Sequence, residues 1–220
     1  MEAGKVAPFP PAFRNRTKRA ARAETDKPQP KEIPMTILHA LWIPILLSSV
    51  FVFIASSALH MVLPWHRNDF KRAPDQDKVL DALRPFSLPP GDYMIPRCTE
   101  RAEMKTPGFA EKLRKGPILV ATFLPNGPFR MGRSLTLWFL YLVAVSTLSA
   151  FGSLYSLKAG ADCHRVFHLV GLLSFLAYSG ALWQSVIWYR TSISTALKNS
   201  IDGLIYACVT AATLAWYWPG

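Results

Sequence analysis

Residues 36–65 read TILHALWIPILLSSVFVFIASSALHMVLPW, thirty positions without one Lys, Arg, Asp or Glu. A helix needs only about 20 mostly apolar residues to cross the hydrocarbon core of a bilayer. The run exceeds that length, so the chain is expected to be an integral membrane protein with its other parts placed relative to the bilayer. As one helix the run is longer than the membrane is thick. It must tilt or bend, and Pro44 is the expected bend because it removes an internal donor and crowds the preceding turn. Trp42 and Trp65 suit the two headgroup layers.

Three more stretches lack formal charge: residues 134–157 and 166–189, with 24 each, and residues 203–218, with sixteen. Sixteen residues give roughly 24 Å of helix, so the last needs local thinning or help from its flanks. The expected fold class is an all-α integral membrane protein. Four transmembrane helices (36–65, 134–157, 166–189 and 203–218) would carry a small cytoplasmic region, residues 66–133, between the first and second.

Residues 1–35 precede the first span. Residues 1–34 hold eight Lys or Arg, four Asp or Glu and six prolines, the composition of a disordered basic tail. Met35 stands directly before the first span, and a translation start there would leave the tail out. The formal net charge of +11 lies outside the spans. Such charge fits a bilayer with anionic headgroups, whereas no reader motif or aromatic-interleaved groove points to nucleic acid. Thirteen Lys or Arg fall in residues 66–133. With Arg190 and Lys198 on the same side after four crossings, the positive-inside rule makes that region cytoplasmic and puts both termini outside.

Within residues 66–133, the acids at Asp75 and Asp77 ahead of Val79, Leu80 and Leu83 predict a short helix ending before Pro85. FSLPPGDYMIPR reads as extended chain with a turn at Pro90-Gly91. Thr106, Pro107 and Gly116 frame a second helix as cap, first residue and terminator. ILVATFL, residues 118–124, reads as a strand or an interfacial segment, being too short to span. In the last span Gly203, Ala207, Ala211 and Ala215 recur every four residues. They predict a face for close helix packing, within the bundle, against another membrane protein, or in self-association.

All five histidines lie in or beside spans. His164 and His168 share a helix face, and the crossing order puts them at the same outer surface as His39. These three are the candidate metal ligands, suited to zinc or copper, with Asp162 or Cys163 as an added ligand. Two histidines on different helices are instead able to hold haem axially. His60 and His66 flank Pro64 at the inner surface. Against these readings, an interfacial histidine suits a headgroup region with no ligand at all. Cys98, Cys163 and Cys208 form no paired motif. Tyr178 and Gln184 suit interhelical hydrogen bonds. Asp69, Asp92 and Tyr93 are possible polar site groups, better read as turn caps or partners of nearby arginines. No nucleophile with a base at local spacing and no phosphate-binding glycine loop is present. No formal charge falls deep in a span, which speaks against an ion-coupled pathway.

At HMVLPWH (60–66), PPGDYMIP (89–96) and WYRTSISTALKNSIDGLIYA (188–207) the chain resembles a family of small, uncharacterised bacterial multipass membrane proteins. The resemblance covers most of residues 35–220. It implies a bacterial inner membrane and supplies no activity and no site residues. The expected function is a non-enzymatic accessory, assembly or scaffold protein of a membrane complex. The alternatives are a metal or haem protein using the outer histidines and, more weakly, a small transport protein.

Overall fold

The computed structural model describes residues 35–220, with side chains from His39 onward. The expected tail, residues 1–34, lies outside the described residues. The chain divides into two compact units, Met1–His39 and Ala40–Gly220, and the second carries the fold.

Helix α1 (Met35–Ser57) runs on through Pro44. Its helical geometry changes later, in a wider π-helical turn at Ala58–Val62, followed by a single tight turn at Pro64–His66. The remaining helices are α2 (Gln76–Leu83), α3 (Pro107–Lys115), α4 (Met131–Ser156), α5 (Cys163–Ser179), α6 (Leu182–Tyr189) and α7 (Ile193–Trp216). Among the described residues, three helical stretches are long and apolar enough to cross a membrane: His39–Val62, Met131–Ser156 and Cys163–Tyr189. The third is made of α5 and α6, separated at Gly180 and Ala181.

The fourth expected stretch, 203–218, belongs to a longer helix. Ser192 caps α7 by accepting from the Thr195 amide at 3.3 Å, and the helix then runs for 24 residues. At 1.5 Å per residue that is about 36 Å, enough for the hydrocarbon core. It gains this length by taking in Lys198 and Asp202, which lower its apolar character relative to the other three.

Helix α7 lies antiparallel along α5. A Cβ at Gly203 would come within 2.1 Å of the Ser179 hydroxyl and 3.2 Å of the Tyr178 Cβ, and one at Gly171 within 3.5 Å of the Ala211 Cβ. Gly203, Ala207, Ala211 and Ala215 are all buried, so the small-residue face is occupied within the chain. Helices α1, α4 and α5 are tied by serines. The hydroxyls of Ser48 and Ser146 are 3.0 Å apart, as are those of Ser149 and Ser174, and all four residues are buried. The Trp138 indole donates to the Ser56 hydroxyl at 3.0 Å. In an apolar medium such bonds supply what water-driven burial cannot, at about 0.6 kcal/mol each. The far end of α7 meets the α4–α5 link. There the Trp218 indole donates to the Lys158 carbonyl at 3.1 Å, and the Gly160 amide to the Pro219 carbonyl at 2.7 Å.

Residues between α1 and α4 form a small region of two short helices and a hairpin. Asp75, expected in the first turn of this region's first helix, α2, stands just before it as its cap and accepts from the Lys78 amide. Thr106 caps α3, and Gly116 ends it with φ 58°. Strand β1 (Gly91–Ile95) pairs antiparallel with β2 (Leu119–Phe123), in register from Gly91 opposite Phe123 to Ile95 opposite Leu119. The proline-rich stretch and the short apolar run are thus each other's partners. Phe109 is buried here, while Phe70, Phe86, Ile118, Leu124 and Phe129 stay exposed.

Candidate metal centre

The π-helical turn and the tight turn after it bring two histidines together. The rings of His60 and His66 stack with centroids 4.3 Å apart and planes 8° from parallel. The Nδ1 of each ring is committed to an oxygen. His60 Nδ1 lies 3.0 Å from the Ser56 carbonyl, which only accepts, so that nitrogen carries the proton. His66 Nδ1 lies 2.6 Å from the Asp69 carboxylate. His66 Nε2 has a second carboxylate as its partner.

Helix α7 supplies it. Asp202, 3% exposed, places Oδ2 at 2.7 Å from His66 Nε2. Its other oxygen, Oδ1, is buried and has no hydrogen-bond partner. A buried carboxylate oxygen without a partner is costly, and such an atom asks for an explanation. One turn earlier on the same face of α7, Lys198 donates to Asp69 Oδ1 at 2.7 Å. The lysine, by its hydrogen bond first, and His66 second hold the Asp69 carboxyl below its usual range. The result is a chain of contacts from Lys198 through Asp69 and His66 to Asp202, with His60 stacked alongside.

One ligand atom each from His60, His66 and Asp202 lie within 4.8 Å of one another. Two imidazoles and a carboxylate are a donor set for zinc or another divalent transition metal with a coordination position left open. The surroundings fit as well. A metal-bound histidine almost always gives its other ring proton to a carboxylate or a backbone carbonyl. His66 does the first and His60 the second. Haem does not fit this pair, because stacked rings cannot approach one iron from opposite faces.

A cavity of about 910 Å³ borders the group. His60 and Asp202 line it, together with Trp138, Tyr141, Tyr178 and Tyr206. These four aromatics are in successive ring contact, Trp138 to Tyr141, Tyr141 to Tyr178, Tyr178 to Tyr206 and Tyr206 to Trp138, at centroid distances of 5.5–6.2 Å. They form a continuous wall.

The outer histidines are placed differently. His164 and His168 are exposed on α5, and the His168 ring meets Phe167 edge-on. Asp162 is engaged as the cap of α5, accepting from the His164 and Arg165 amides. His39 belongs to the first unit, so the expected trio does not lie within one unit of the chain. Asp92 accepts from the Thr122 hydroxyl across the hairpin, and Tyr93 donates to the Pro89 carbonyl, both structural bonds. Gln184 is exposed.

Asp202 is the residue that charge counting missed. The last apolar run begins one position after it, which leaves it looking like a flank. The helix cap at Ser192 is the signal that puts it inside a helix, one turn from Lys198. Compared with known proteins, the chain matches no family model, no curated protein and no solved structure.

Proposed function

We propose that this protein is a membrane metalloprotein that holds a divalent transition-metal ion, zinc first, on His60, His66 and Asp202. The single observation behind this reading is the division of labour among the ring nitrogens. Both Nδ1 atoms are spent on oxygen acceptors, and one ligand atom each from the two imidazoles and Asp202 lie within 4.8 Å of one another, where the carboxylate keeps a buried, unpartnered oxygen. The expectation of an accessory protein leaned on a bundle without buried charge, and Asp202 removes that premise. Metal analysis of detergent-purified protein, after dialysis against zinc, tests the reading. A stoichiometric ion is expected in the parent and is lost in His66→Ala and in Asp202→Ala. A parent that retains no more zinc, copper, iron or manganese than His66→Ala would overturn it.

The proposed setting is a bacterial inner membrane crossed four times, with residues 66–133 cytoplasmic and both termini outside. Two contacts support the fourth crossing. Asp202, in the N-terminal half of α7, meets His66 just beyond the end of the first span. The other end of α7 meets the α4–α5 link, at the opposite ends of the neighbouring spans. The site then lies toward the cytoplasmic face.

A second role, as an accessory or assembly subunit, draws on a different observation. Exposed Phe70, Phe86, Ile118 and Phe129 sit in a region rich in Lys and Arg, which suits the headgroup layer or a partner resting on it. Crosslinking in native membranes from Phe86 and Ile118 tests it, with lipid-only adducts as the outcome against a protein partner.

A further inference from the structure

The cavity beside the histidines has a shape and a position that the metal alone does not use. Its volume of about 910 Å³ falls in the roughly 300–1,000 Å³ range of small-molecule sites. His60, Asp202, Asn199 and three serines supply its polar groups, and the rest of the lining is mostly apolar and aromatic, with Leu135, Leu182 and Trp138 among its walls. Met61 and Leu137 also line it, yet they are 80% and 55% exposed. Both belong to stretches long and apolar enough to cross a membrane. The mouth of the cavity therefore faces the hydrocarbon of the bilayer, near the cytoplasmic ends of the first two spans.

We infer that the cavity binds a lipid with an oxyanion head, taken in sideways from the membrane, with its head on the metal's open coordination position and its chain along the aromatic wall. The inference rests on the metal reading above. Charge decides the head. Two neutral imidazoles and one carboxylate leave a divalent ion with one surplus positive charge, which an anionic oxygen ligand neutralises. Position decides the body. Exposed Met61 and Leu137 set the opening of the cavity on an apolar surface, where a lipid rather than a water-soluble anion is at hand. The aromatic wall suits a chain: Tyr141 and Trp138 stack at 5.5 Å with planes 25° apart, a surface along which an alkyl chain can lie.

The test uses the full chain in phosphatidylcholine nanodiscs, loaded with cobalt(II) so that coordination is read from the visible spectrum. The probes are acetohydroxamate and dodecanohydroxamate, which share one metal-binding oxyanion head and differ only in the chain. Both are expected to shift the cobalt bands. Dodecanohydroxamate should do so at least ten-fold more effectively than its partitioning into the same nanodiscs explains. Leu135→Trp and Leu182→Trp, made separately, each push an indole into the path of the chain and should abolish that ten-fold gain, while cobalt retention and the acetohydroxamate shift stay as in the parent. Retained cobalt shows that a variant has folded. A gain no larger than partitioning, a gain that survives both tryptophans, or bound cobalt that neither probe perturbs would each overturn the lipid inference. Failure of the parent to bind cobalt or zinc is a separate result, and it sinks the metal reading instead.

Discussion

His66 Nε2 lies 2.7 Å from the Asp202 carboxylate, although 136 positions separate them in the chain. The contact joins the turn after the first apolar helix to the inside of the last one. On the same face of α7, Lys198 reaches Asp69, so that two residues one helical turn apart grip both ends of the His66–Asp69 link.

The two carboxylates should therefore behave differently when neutralised. Asp202→Asn removes a proposed ligand and is expected to abolish stoichiometric zinc binding. Asp69→Asn removes the group that orients His66, and is expected to weaken zinc by about 10–100-fold without abolishing it. Competition with a chromophoric chelator measures both. Equal losses in the two variants would mean that the asymmetry drawn between them is wrong.

Topology is read from single cysteines in intact cells. In a background lacking the native thiols, Gly220→Cys should react with a membrane-impermeant maleimide, and so should a chain that keeps only Cys163. Glu100→Cys should react only after the membrane is opened. A protected cysteine at position 220 beside a reactive Cys163 would indicate that α7 does not cross.

The packing of α7 on α5 predicts a sharp dependence on size. Gly203→Val would drive carbon into Ser179 and Tyr178, and Ala211→Leu would do the same against Gly171. Each should lower stability by about 1–3 kcal/mol through overpacking. Leu204, half exposed on another side, should accept Ile with little change. Thermal unfolding in detergent compares the three, and wild-type midpoints for both enlarged variants would refute the close approach.

A pH response is expected at Asp75, in the region between α1 and α4. Hydrogen bonds from the Lys78 side chain first, and from its amide second, hold this carboxyl below its ordinary value of 3.8. A group depressed in the folded state contributes fully above its unfolded value and loses that contribution as pH falls through the folded one. The cap on α2 should thus persist at pH 4 and fail only at lower pH. Carboxyl chemical shifts of Asp75 should give a midpoint below 3.8, moved upward by Lys78→Met. A midpoint at or above 3.8 in the parent would contradict the cap.

Much of this architecture is legible in the residue order because its determinants are local. Charge-free runs mark the spans, and Thr106, Pro107 and Gly116 mark α3 within one residue of where it begins and ends. The hairpin was half legible. Both of its strands read as extended or strand-like, but nothing local joins residues 91–95 to 119–123. The site was the least legible part. His60 and His66 were visible as a pair, whereas the carboxylate that completes them comes from a helix whose start is set by the cap at Ser192. Counting uncharged residues places that start ten positions too late, because a helix packed among others can carry a charge if a partner meets it. The outer histidines drew attention for the opposite reason. Their spacing on one helix is a local pattern, and the residues it aligns are exposed on α5.

The bonds between the α4–α5 link and the residues that follow α7 have a bearing on how the molecule is made. Trp218 and Pro219, far downstream of α4 and α5, are the ones that fasten Lys158 and Gly160. That closure cannot exist until α7 has been synthesised. The hairpin of α4 and α5 is therefore complete first and waits with one flank open. The order of synthesis makes α7 the keystone, and a chain cut short of Trp218 would never be shut at that end.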